Sequence, residues 1–346
     1  MVAGVAPIAV YYHPRFLDHD TGQHPESAGR LVACRRVLLA ADLDLRWIEP
    51  RPAPLAYIER VHDSRYVEEL RRFAELGGGY LDADTVVSSA SYEAAVLAAG
   101  AGVDAVERAC AGDGPAFVLA RPPGHHALRG RGMGFCLFNT IAVAAAHALE
   151  TCGFERVLIF DWDVHHGNGT QDAFYDDPRV LFISLHQRHH YPGTGHVGEV
   201  GLGEGVGYTV NVPLPAGAGD GAAAAIFETL VEPLARAYRP QLVLASCGYD
   251  SIAGDPLGGL RMSRDVYRWM ASRLAALGRE LDAAGPVCTL EGGYDPPLVA
   301  DALVATLEGL QGDSVPVPGR PAAPDETAAV AAARQALAPY WAGVLG

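Results

Sequence analysis

The sequence has few of the features that mark several classes of protein. Its 346 residues include only 6 cysteines, none at a paired spacing, so we expect neither a disulfide framework nor a thiolate zinc site, and a reducing cytoplasm fits best. Arginine and lysine total 26 against 41 acidic residues, and this net charge of −15 argues against direct nucleic-acid binding, which needs clustered basic side chains. No apolar run approaches the length that spans a bilayer, so the sequence predicts a soluble protein without a membrane partner.

The composition nevertheless allows a large core, because 49% of the residues are hydrophobic. Short apolar runs rich in β-branched residues alternate with amphipathic segments over most of the chain. This alternation is typical of an α/β fold with a parallel, helix-covered sheet and right-handed crossovers. We predict a single domain over residues 1–346, in which 312–346 is a C-terminal appendage packed on the rest. The sequence leaves the oligomeric state open, and a homo-oligomer is one alternative.

The most informative stretch is Val157–Thr170, where an apolar run too short for a helix leads directly into carboxylates, imidazoles and glycines. We interpret it as a buried parallel strand, and ligands of open α/β sheets bind beyond the carboxyl ends of the strands. Asp163 and His165 are two positions apart, so in extended chain their side chains point the same way. The two side chains are therefore candidates to hold one metal ion.

A lone aspartate or histidine at the end of a strand is more often a helix cap or a hydrogen-bonded loop residue than a metal ligand. The density of polar side chains changes that balance here. Two aspartates, two histidines and an asparagine fall within the eight residues from Asp161 to Asn168. Burying so many charges together is costly unless a cation or strong pairing compensates, so the pattern favours a metal site.

Three other short apolar runs end in the same way, as predicted strands with reactive side chains just beyond. Because the carboxyl ends of parallel strands meet at one edge of a sheet, we expect these side chains to gather beside Asp163 and His165. Considered alone, the adjacent histidines His125 and His126 would be interpreted more simply as a solvated pair. The runs and their side chains are Phe117–Ala120 with His125 and His126, Leu242–Ser246 with Asp250, and Val287–Leu290 with Tyr294.

A glycine-rich loop with Gly130, Gly132 and Gly134 follows the tandem histidines. It is a weak signal for phosphate, because the lysine and hydroxyl residue of a P-loop are missing. The glycines are better explained by close approach of the backbone to a ligand, with Phe135 as a wall.

These residues indicate a reaction class. Three protein ligands, Asp163, His165 and Asp250, leave a coordination position open, as in catalytic rather than structural zinc sites. With two histidines to move protons and a tyrosine hydroxyl to stabilise an oxyanion, hydrolysis of an amide by metal-activated water is the natural reaction. Serine chemistry is disfavoured because no Gly-x-Ser-x-Gly elbow is present. A non-haem iron oxygenase is an alternative, although it usually has two histidines and one carboxylate.

The motifs together resemble the zinc-dependent histone deacetylase superfamily, in particular bacterial class II-like deacetylases and their acetylpolyamine amidohydrolase relatives. The resemblance covers nearly the whole chain and implies a three-layer arginase/deacetylase-like sandwich around a mainly parallel central sheet. The segments that carry it are His24-Pro25-Glu26, Arg121–His126, Gly134-Phe135-Cys136, Asp161–Thr170, Tyr191–Gly195, Gly248-Tyr249-Asp250 and Glu291–Tyr294.

The resemblance implies a role for each site residue. Asp163, His165 and Asp250 would bind zinc, which sets aside the nearby Asp255. The remaining expected roles are as follows: His125 and His126 as the catalytic pair, oriented by Asp161 and Asn168; Tyr294 polarising the carbonyl; Phe135, Tyr191 and Gly134 flanking the acyl channel; and a monovalent cation, usually potassium, near Asp161 and Ser184 with backbone oxygens of Asp163, His165 and Leu185.

Two positions bear on the substrate. Polyamine-preferring relatives carry an acidic gatekeeper where this chain has Leu257, so the resemblance favours acyl-lysine side chains of proteins or peptides. Asp84 matches a rim position that hydrogen-bonds the substrate backbone in some relatives, and a loop cap is the alternative. The rival functions are a deacetylase for acetylpolyamines or another small acetylated amine and a catalytically silent acyl-lysine binding protein, which Tyr294 and both histidines argue against.

Overall fold

A computed structural model describes residues 6–312 and 315–345. Its centre is an eight-stranded sheet in the order β2-β1-β5-β10-β9-β6-β7-β8, and a separate two-stranded hairpin pairs β3 with β4. All the pairings recorded within the large sheet are parallel. The strands are β1 Ile8–Tyr11, β2 Leu45–Ile48, β3 Gly79–Tyr80, β4 Val86–Val87, β5 Ala116–Val118, β6 Val157–Asp161, β7 Val180–Gln187, β8 Thr209–Leu214, β9 Leu242–Cys247 and β10 Ala284–Leu290.

Most of the helices lie in the connections between these strands, as the parallel pairing requires, and the last two follow β10. They are α1 Ala28–Ala40, α2 Leu55–Ile58, α3 Ser64–Glu75, α4 Ser91–Cys110, α5 Thr140–Glu150, α6 Asn168–Ala173, α7 Asp220–Ile226, α8 Glu232–Tyr238, α9 Arg264–Leu281, α10 Pro296–Gln311 and α11 Pro324–Leu337. A π-helical turn, Phe227–Val231, joins α7 to α8. Pro233, in the first turn of α8, has no N–H and so interrupts the regular helical hydrogen bonding at this point.

The predicted fold class is confirmed. Every residue of β5, β6 and β9 is buried, which requires helices on both faces of the sheet. Helices α4 and α5 pack together in one group, and α1, α9 and α10 pack together in another. The molecule is therefore a three-layer α/β sandwich around a parallel sheet.

The strand order explains how residues far apart in sequence meet. The four strands whose ends carry the predicted reactive side chains, β5, β10, β9 and β6, are consecutive neighbours in the sheet. Since they are parallel, their carboxyl ends lie side by side along one edge. This edge forms the floor of the candidate site.

Two local predictions differ from the structure. The prolines of Trp47–Pro54 predict a connection between elements, but the first residues of this segment belong to β2, an edge strand paired only with β1 among the described residues. The preference of aspartate for helix caps predicts Asp325 as the cap of the last helix, but Asp325 lies inside the first turn and Ala323 is at the cap position. The reason is Pro324, because proline is favoured as the first helical residue and shifts the cap to the residue before it.

The predicted C-terminal appendage contacts the body of the protein. Helix α11 packs against β8 and α7. The Trp341 indole donates a hydrogen bond to the Gly207 carbonyl at 2.8 Å. Residues 313, 314 and 346 of this segment lie outside the described residues. The apolar stretch Met1–Val10 predicts a first strand, and its residues 1–5 also lie outside the described residues. The single-domain organisation stays a prediction, which these contacts support. None of the helices in the described part of the chain is long and apolar enough to cross a membrane.

Candidate metal centre and active site

Asp163, His165 and Asp250 form a compact group of possible metal ligands. One ligand atom from each lies within 4.8 Å of the others, and all three residues are buried. The Nδ1 atom of His165 is 3.0 Å from Asp163 Oδ1 and 3.1 Å from Asp250 Oδ2. Asp163 and His165 follow the end of β6, and Asp250 follows the neighbouring β9, as the sequence predicts.

Backbone groups fix both carboxylates. The Val164 N–H donates to Asp250 Oδ1 at 2.8 Å, and the Gly292 N–H donates to Asp163 Oδ2 at 2.8 Å. A Cβ on Gly292 would lie 2.0 Å from Asp250 Oδ2, and one on Gly248 would lie 2.0 Å from Asp163 Oδ2. Glycine is therefore required at both positions for the backbone to approach the carboxylates this closely.

The electrostatics of the group fit a cation. Burial raises the pKa of Asp250 to about 7, with a further contribution from the charge of Asp163. Burial alone would lower the pKa of His165, but hydrogen bonds to the two carboxylates raise it to about 10. Two carboxylates held together in a buried site are an unfavourable arrangement that a divalent ion relieves. One imidazole with two carboxylates is also a donor set that zinc accepts.

The tandem histidines lie beside this group, each with its own orienting partner. His125 Nδ1 is 2.9 Å from Asp161 Oδ2, and His126 Nδ1 is 2.7 Å from Asn168 Oδ1. Their ring centroids are 4.0 Å apart. The predicted pairings of His125 with Asp161 and of His126 with Asn168 are therefore present.

The two rings favour different charge states. Burial would lower the pKa of His125, but the carboxylates of Asp163 and Asp161 raise it to about 10. For His126, burial and the positive charges of His125 and His165 hold the pKa well below its usual range. The pKa values of the two adjacent imidazoles are therefore shifted in opposite directions, as acid–base chemistry often requires.

A cavity of about 420 Å³ opens over the metal-ligand group. Its lining includes all five residues predicted to bind substrate. Tyr294 lines it as well, and burial together with the charges of Asp250 and Asp163 keeps the pKa of its phenol well above the usual value, so the hydroxyl remains a donor. The lining residues are His24, Pro25, Asp84, His126, Gly134, Phe135, His165, His190, Tyr191, Leu257 and Tyr294.

The structure also separates the two acidic residues of the rim loop. Asp82 is the loop cap, because its Oδ1 accepts from the N–H groups of Asp84 at 3.1 Å and Thr85 at 2.7 Å. The Asp84 carbonyl lies 3.1 Å from His24 Nε2. These hydrogen bonds therefore fix the backbone of Asp84, and the Asp84 side chain lines the cavity.

The residues expected around a monovalent cation are neighbours across two strands. Asp161 of β6 is the register partner of Ser184 of β7, and Leu185 follows Ser184 on the same strand. The Ser184 hydroxyl is 3.0 Å from His186 Nδ1. The cation itself stays a proposal.

Sequence reasoning missed three buried charged residues that support the site. Glu291 Oε2 accepts from the N–H groups of Gly124 at 2.7 Å and His125 at 3.1 Å. Arg30 donates to the carbonyls of Glu291 and Gly293. Asp255, considered only as a metal ligand, instead accepts from the Tyr294 N–H at 2.6 Å. Each contributes hydrogen bonds to backbone groups far away in sequence, which no local pattern predicts; only Glu291, a charge directly after an apolar strand, gave a local signal.

Fold and site together define a metal-dependent enzyme, and comparison with known proteins places it. The family model "Histone deacetylase domain" matches residues 24–310. A histone deacetylase-like amidohydrolase of Pseudomonas aeruginosa is 38% identical over 294 residues, which cover 84% of this chain and 77% of the relative. A polyamine deacetylase of Homo sapiens is 38% identical over 358 residues, or 96% of this chain and 52% of the relative.

The fold comparison agrees. The crystal structure of the HDA15 HD domain superposes with a TM-score of 0.91 at 34% sequence identity, covering 98% of this chain and 96% of that one. The chain belongs to the histone deacetylase family. It is an enzyme of the deacetylase or amidohydrolase type with an Asp-His-Asp metal site.

Proposed function

We propose that this enzyme removes acetyl or other acyl groups from lysine side chains of proteins or peptides, with zinc held by Asp163, His165 and Asp250. The observation that carries the proposal is that His165, His126 and Tyr294 all line one cavity, of about 420 Å³, and the neutral Leu257 lines it too. Zinc held by these three residues would supply Lewis-acid chemistry toward an acyl carbonyl and a water molecule. The acyl group would enter between Phe135 and Tyr191. Gly134, which has no side chain, would leave space for it beside them.

The histidine pair handles protons in this proposal. His126 donates its Nδ1 proton to Asn168 Oδ1, so its Nε2 is the basic nitrogen and takes the proton from the attacking water. His125 is hydrogen-bonded to the Asp161 carboxylate, which supports a charged ring that stabilises the negative charge of the reaction. Asp161 and Asn168 thus act by orienting the two rings.

Tyr294 and Asp84 act on the substrate. The phenol of Tyr294 donates a hydrogen bond to the carbonyl oxygen as negative charge develops there. Asp84, at the mouth of the cavity, accepts hydrogen bonds from the backbone N–H groups of a peptide that carries the acylated lysine. The fixed backbone of its loop supports this role.

We also propose that a monovalent cation, potassium in the usual case, lies beneath the zinc site. Its ligands would be Asp161, Ser184 and the backbone oxygens of Asp163, His165 and Leu185. The Asp161–Ser184 register pair supports this assignment. A single domain and a cytoplasmic location complete the proposal, the latter in accord with cysteines that have no paired spacing.

Hydrolysis of acetylpolyamines is the second candidate. Asp82 and Asp84 at the rim would attract a cationic amine, and a relative with 38% identity is named a polyamine deacetylase. The first candidate is preferred because Leu257, which lines the cavity, has no charge to pair with an ammonium group.

One activity profile tests the choice. The purified protein is assayed on acetyl-lysine peptides, longer acyl-lysine peptides and acetylspermidine. The chain contains no lysine, so no acyl-lysine of its own interferes with the measurement. We expect kcat/KM to be highest for an acyl-lysine peptide. A higher value for acetylspermidine would select the second candidate, and no hydrolysis of any amide by the zinc-loaded protein would refute both.

A further inference from the structure

The cavity wall contains a residue in an unusual backbone conformation. Phe135 has a φ of 69°, in the left-handed region that bulky side chains rarely adopt, and the preceding Gly134 has a φ of 56°. Glycine is required at 134, because a Cβ there would lie 2.5 Å from the His126 ring. Phenylalanine at 135 needs another explanation, because such a conformation costs free energy and persists only where the surroundings enforce it.

Two sets of hydrogen bonds provide that restraint. Met133 and Cys136 exchange backbone hydrogen bonds at 3.0 and 3.1 Å around Gly134 and Phe135, which closes a two-residue turn with positive φ at both positions. The Thr85 hydroxyl ties this turn to the loop of Asp82 and Asp84. The Phe135 N–H donates to Thr85 Oγ1 at 3.2 Å, and Thr85 has 0% of its surface exposed. Thr85 is itself held in place, because its N–H donates to Asp82 Oδ1 at 2.7 Å and its carbonyl accepts from the Leu81 N–H at 2.9 Å. Burial would raise the pKa of Asp82, but hydrogen bonds from Thr85 and Asp84 lower it, so the anchoring carboxylate stays charged.

The restrained backbone sets the direction of the Phe135 ring. Its centroid lies 5.6 Å from that of Tyr294 with an interplanar angle of 88°, and 4.6 Å from that of His24 with an angle of 84°. The ring therefore packs edge-to-face between His24, which lines the cavity, and Tyr294, the proposed oxyanion donor. Without the hydrogen bond to Thr85, the turn would stay closed by Met133 and Cys136, but its link to the loop of Asp82 and Asp84 would be lost. The ring would then be held less firmly against Tyr294 and His24.

We infer that Thr85 is a positioning residue for the acyl channel: its hydroxyl ties the turn that carries Phe135 to the loop of Asp82 and Asp84, and so holds the ring in place as the channel wall. Thr85 immediately follows Asp84, so the hydrogen bond also links the peptide-binding rim to the channel. The inference rests on the proposed function only for the identity of the substrate. It assigns Thr85 no contact with the reacting atoms.

The test compares Thr85→Val, which keeps the shape but removes the hydroxyl, with Thr85→Ser, which keeps the hydroxyl. On an acetyl-lysine peptide, we expect Thr85→Val to raise KM about 10-fold, the equivalent of one lost hydrogen bond, with kcat within about threefold of the wild type. Thr85→Ser, which keeps the hydroxyl, should have a KM near the wild-type value. Ser272→Ala is the control for loss of a buried hydroxyl, because Ser272 bonds only to the Trp269 carbonyl within α9 among the recorded hydrogen bonds.

A double-mutant cycle separates this role from general destabilisation. In a Phe135→Ala background, Thr85→Val should not raise KM further, because the ring through which it acts is gone. An unchanged KM in Thr85→Val, failure of Thr85→Ser to restore KM, or an equal additional effect in the Phe135→Ala background would each overturn the inference.

Two provisions keep the outcome clear. If Thr85→Val does not fold, Asp82→Ala replaces it, because Asp82 is exposed and anchors the same loop, and an unchanged KM in that variant overturns the inference. If the wild type prefers acetylspermidine, KM and kcat of each variant are compared with those of the wild type on acetylspermidine instead. Failure of the proposed substrate and failure of the positioning role are then observed separately.

Discussion

Asp255 Oδ2 accepts a hydrogen bond from the backbone N–H of Tyr294 at 2.6 Å. The other oxygen, Oδ1, accepts from the Leu257 N–H at 2.9 Å. One carboxylate therefore fixes the backbone of the proposed oxyanion donor and of the residue proposed to select against polyamines. This arrangement links catalysis and specificity through a residue that contacts neither metal nor substrate in our proposal.

Replacing Asp255 should lower kcat more than it raises KM. In Asp255→Asn, one oxygen remains where two accepted hydrogen bonds from Tyr294 and Leu257, and the amide NH₂ faces the other N–H. The Tyr294 backbone is then held less firmly, and misplacement of a catalytic group costs roughly 10- to 100-fold in rate. Steady-state kinetics on the preferred substrate measures the effect. Asp295→Asn is the matched control, since Asp295 caps α10 next to Tyr294 and asparagine caps a helix about as well. Wild-type kcat in Asp255→Asn would contradict the role.

The roles of Tyr294 and His126 predict large losses with an intact fold. Tyr294→Phe removes one oxyanion donor, which is worth roughly 10²- to 10³-fold in kcat, and His126→Ala removes the proton acceptor, worth roughly 10²- to 10⁴-fold. Circular dichroism and bound zinc should stay near wild-type values in both variants. Tyr340→Phe, at an exposed position, is the control and should keep full activity. Full activity in either active-site variant would refute its assigned role.

Removal of the metal should lower stability as well as activity. Without a cation, the buried carboxylates of Asp163 and Asp250 face each other, and a ligand that binds only the folded state stabilises it by mass action. We expect a zinc chelator to abolish hydrolysis and to lower Tm by about 5 °C or more, with both effects reversed by added zinc. In Asp250→Asn, the chelator should no longer change Tm. A Tm that is insensitive to chelation in the wild type would argue against a bound metal.

A carboxylate at position 257 should shift the substrate preference. In Leu257→Glu, the new charge attracts the distal ammonium groups of acetylspermidine, and about 1.4 kcal/mol of added attraction corresponds to a tenfold change. We expect the ratio of kcat/KM for acetylspermidine to that for an acetyl-lysine peptide to rise about 10-fold. Leu257→Gln introduces a side chain of about the size of glutamate but without a charge, so it should leave this ratio nearly unchanged. An equal rise in both variants would assign the effect to shape.

His62 should make the fold sensitive to acid. The Asn139 N–H donates to His62 Nε2 at 2.8 Å, and Nδ1 lies 2.9 Å from the Leu128 carbonyl, so the ring is bound in its neutral form. Burial lowers the pKa of His62 from 6.5 to about 4. Between pH 6.5 and about pH 4, the folded state therefore binds fewer protons than the unfolded state. The free energy of unfolding should fall by roughly 3 kcal/mol as the pH drops through this range.

Denaturant unfolding at several pH values measures this contribution as the difference between the wild type and His62→Gln. The glutamine variant can still accept a hydrogen bond but does not titrate. Its stability should therefore decline less between pH 6.5 and 4. Parallel curves for the two proteins would show that His62 does not contribute to the acid sensitivity.

The sequence was most informative where a local pattern sufficed. Alternation of apolar strands and helices predicted the fold class, and the spacing of Asp163 and His165 predicted their common direction at a strand end. Short elements were less predictable. The edge strand β2 was missed because four residues with one exposed side chain give little periodic signal. The start of the last helix was displaced because the preference of Pro324 for the first turn outweighed that of Asp325 for the cap.

The sequence by itself thus determined which residue types stand at the ends of which strands, because strand propensity and side-chain alternation are local properties of the chain. Only the tertiary structure decided which of those ends meet, since the order β5-β10-β9-β6 depends on packing between distant segments. It also decided the supporting parts played by Asp255, Glu291, Arg30 and Thr85. Each of them acts by hydrogen bonds to backbone groups, and a backbone group leaves no trace in the identity of the residue that carries it.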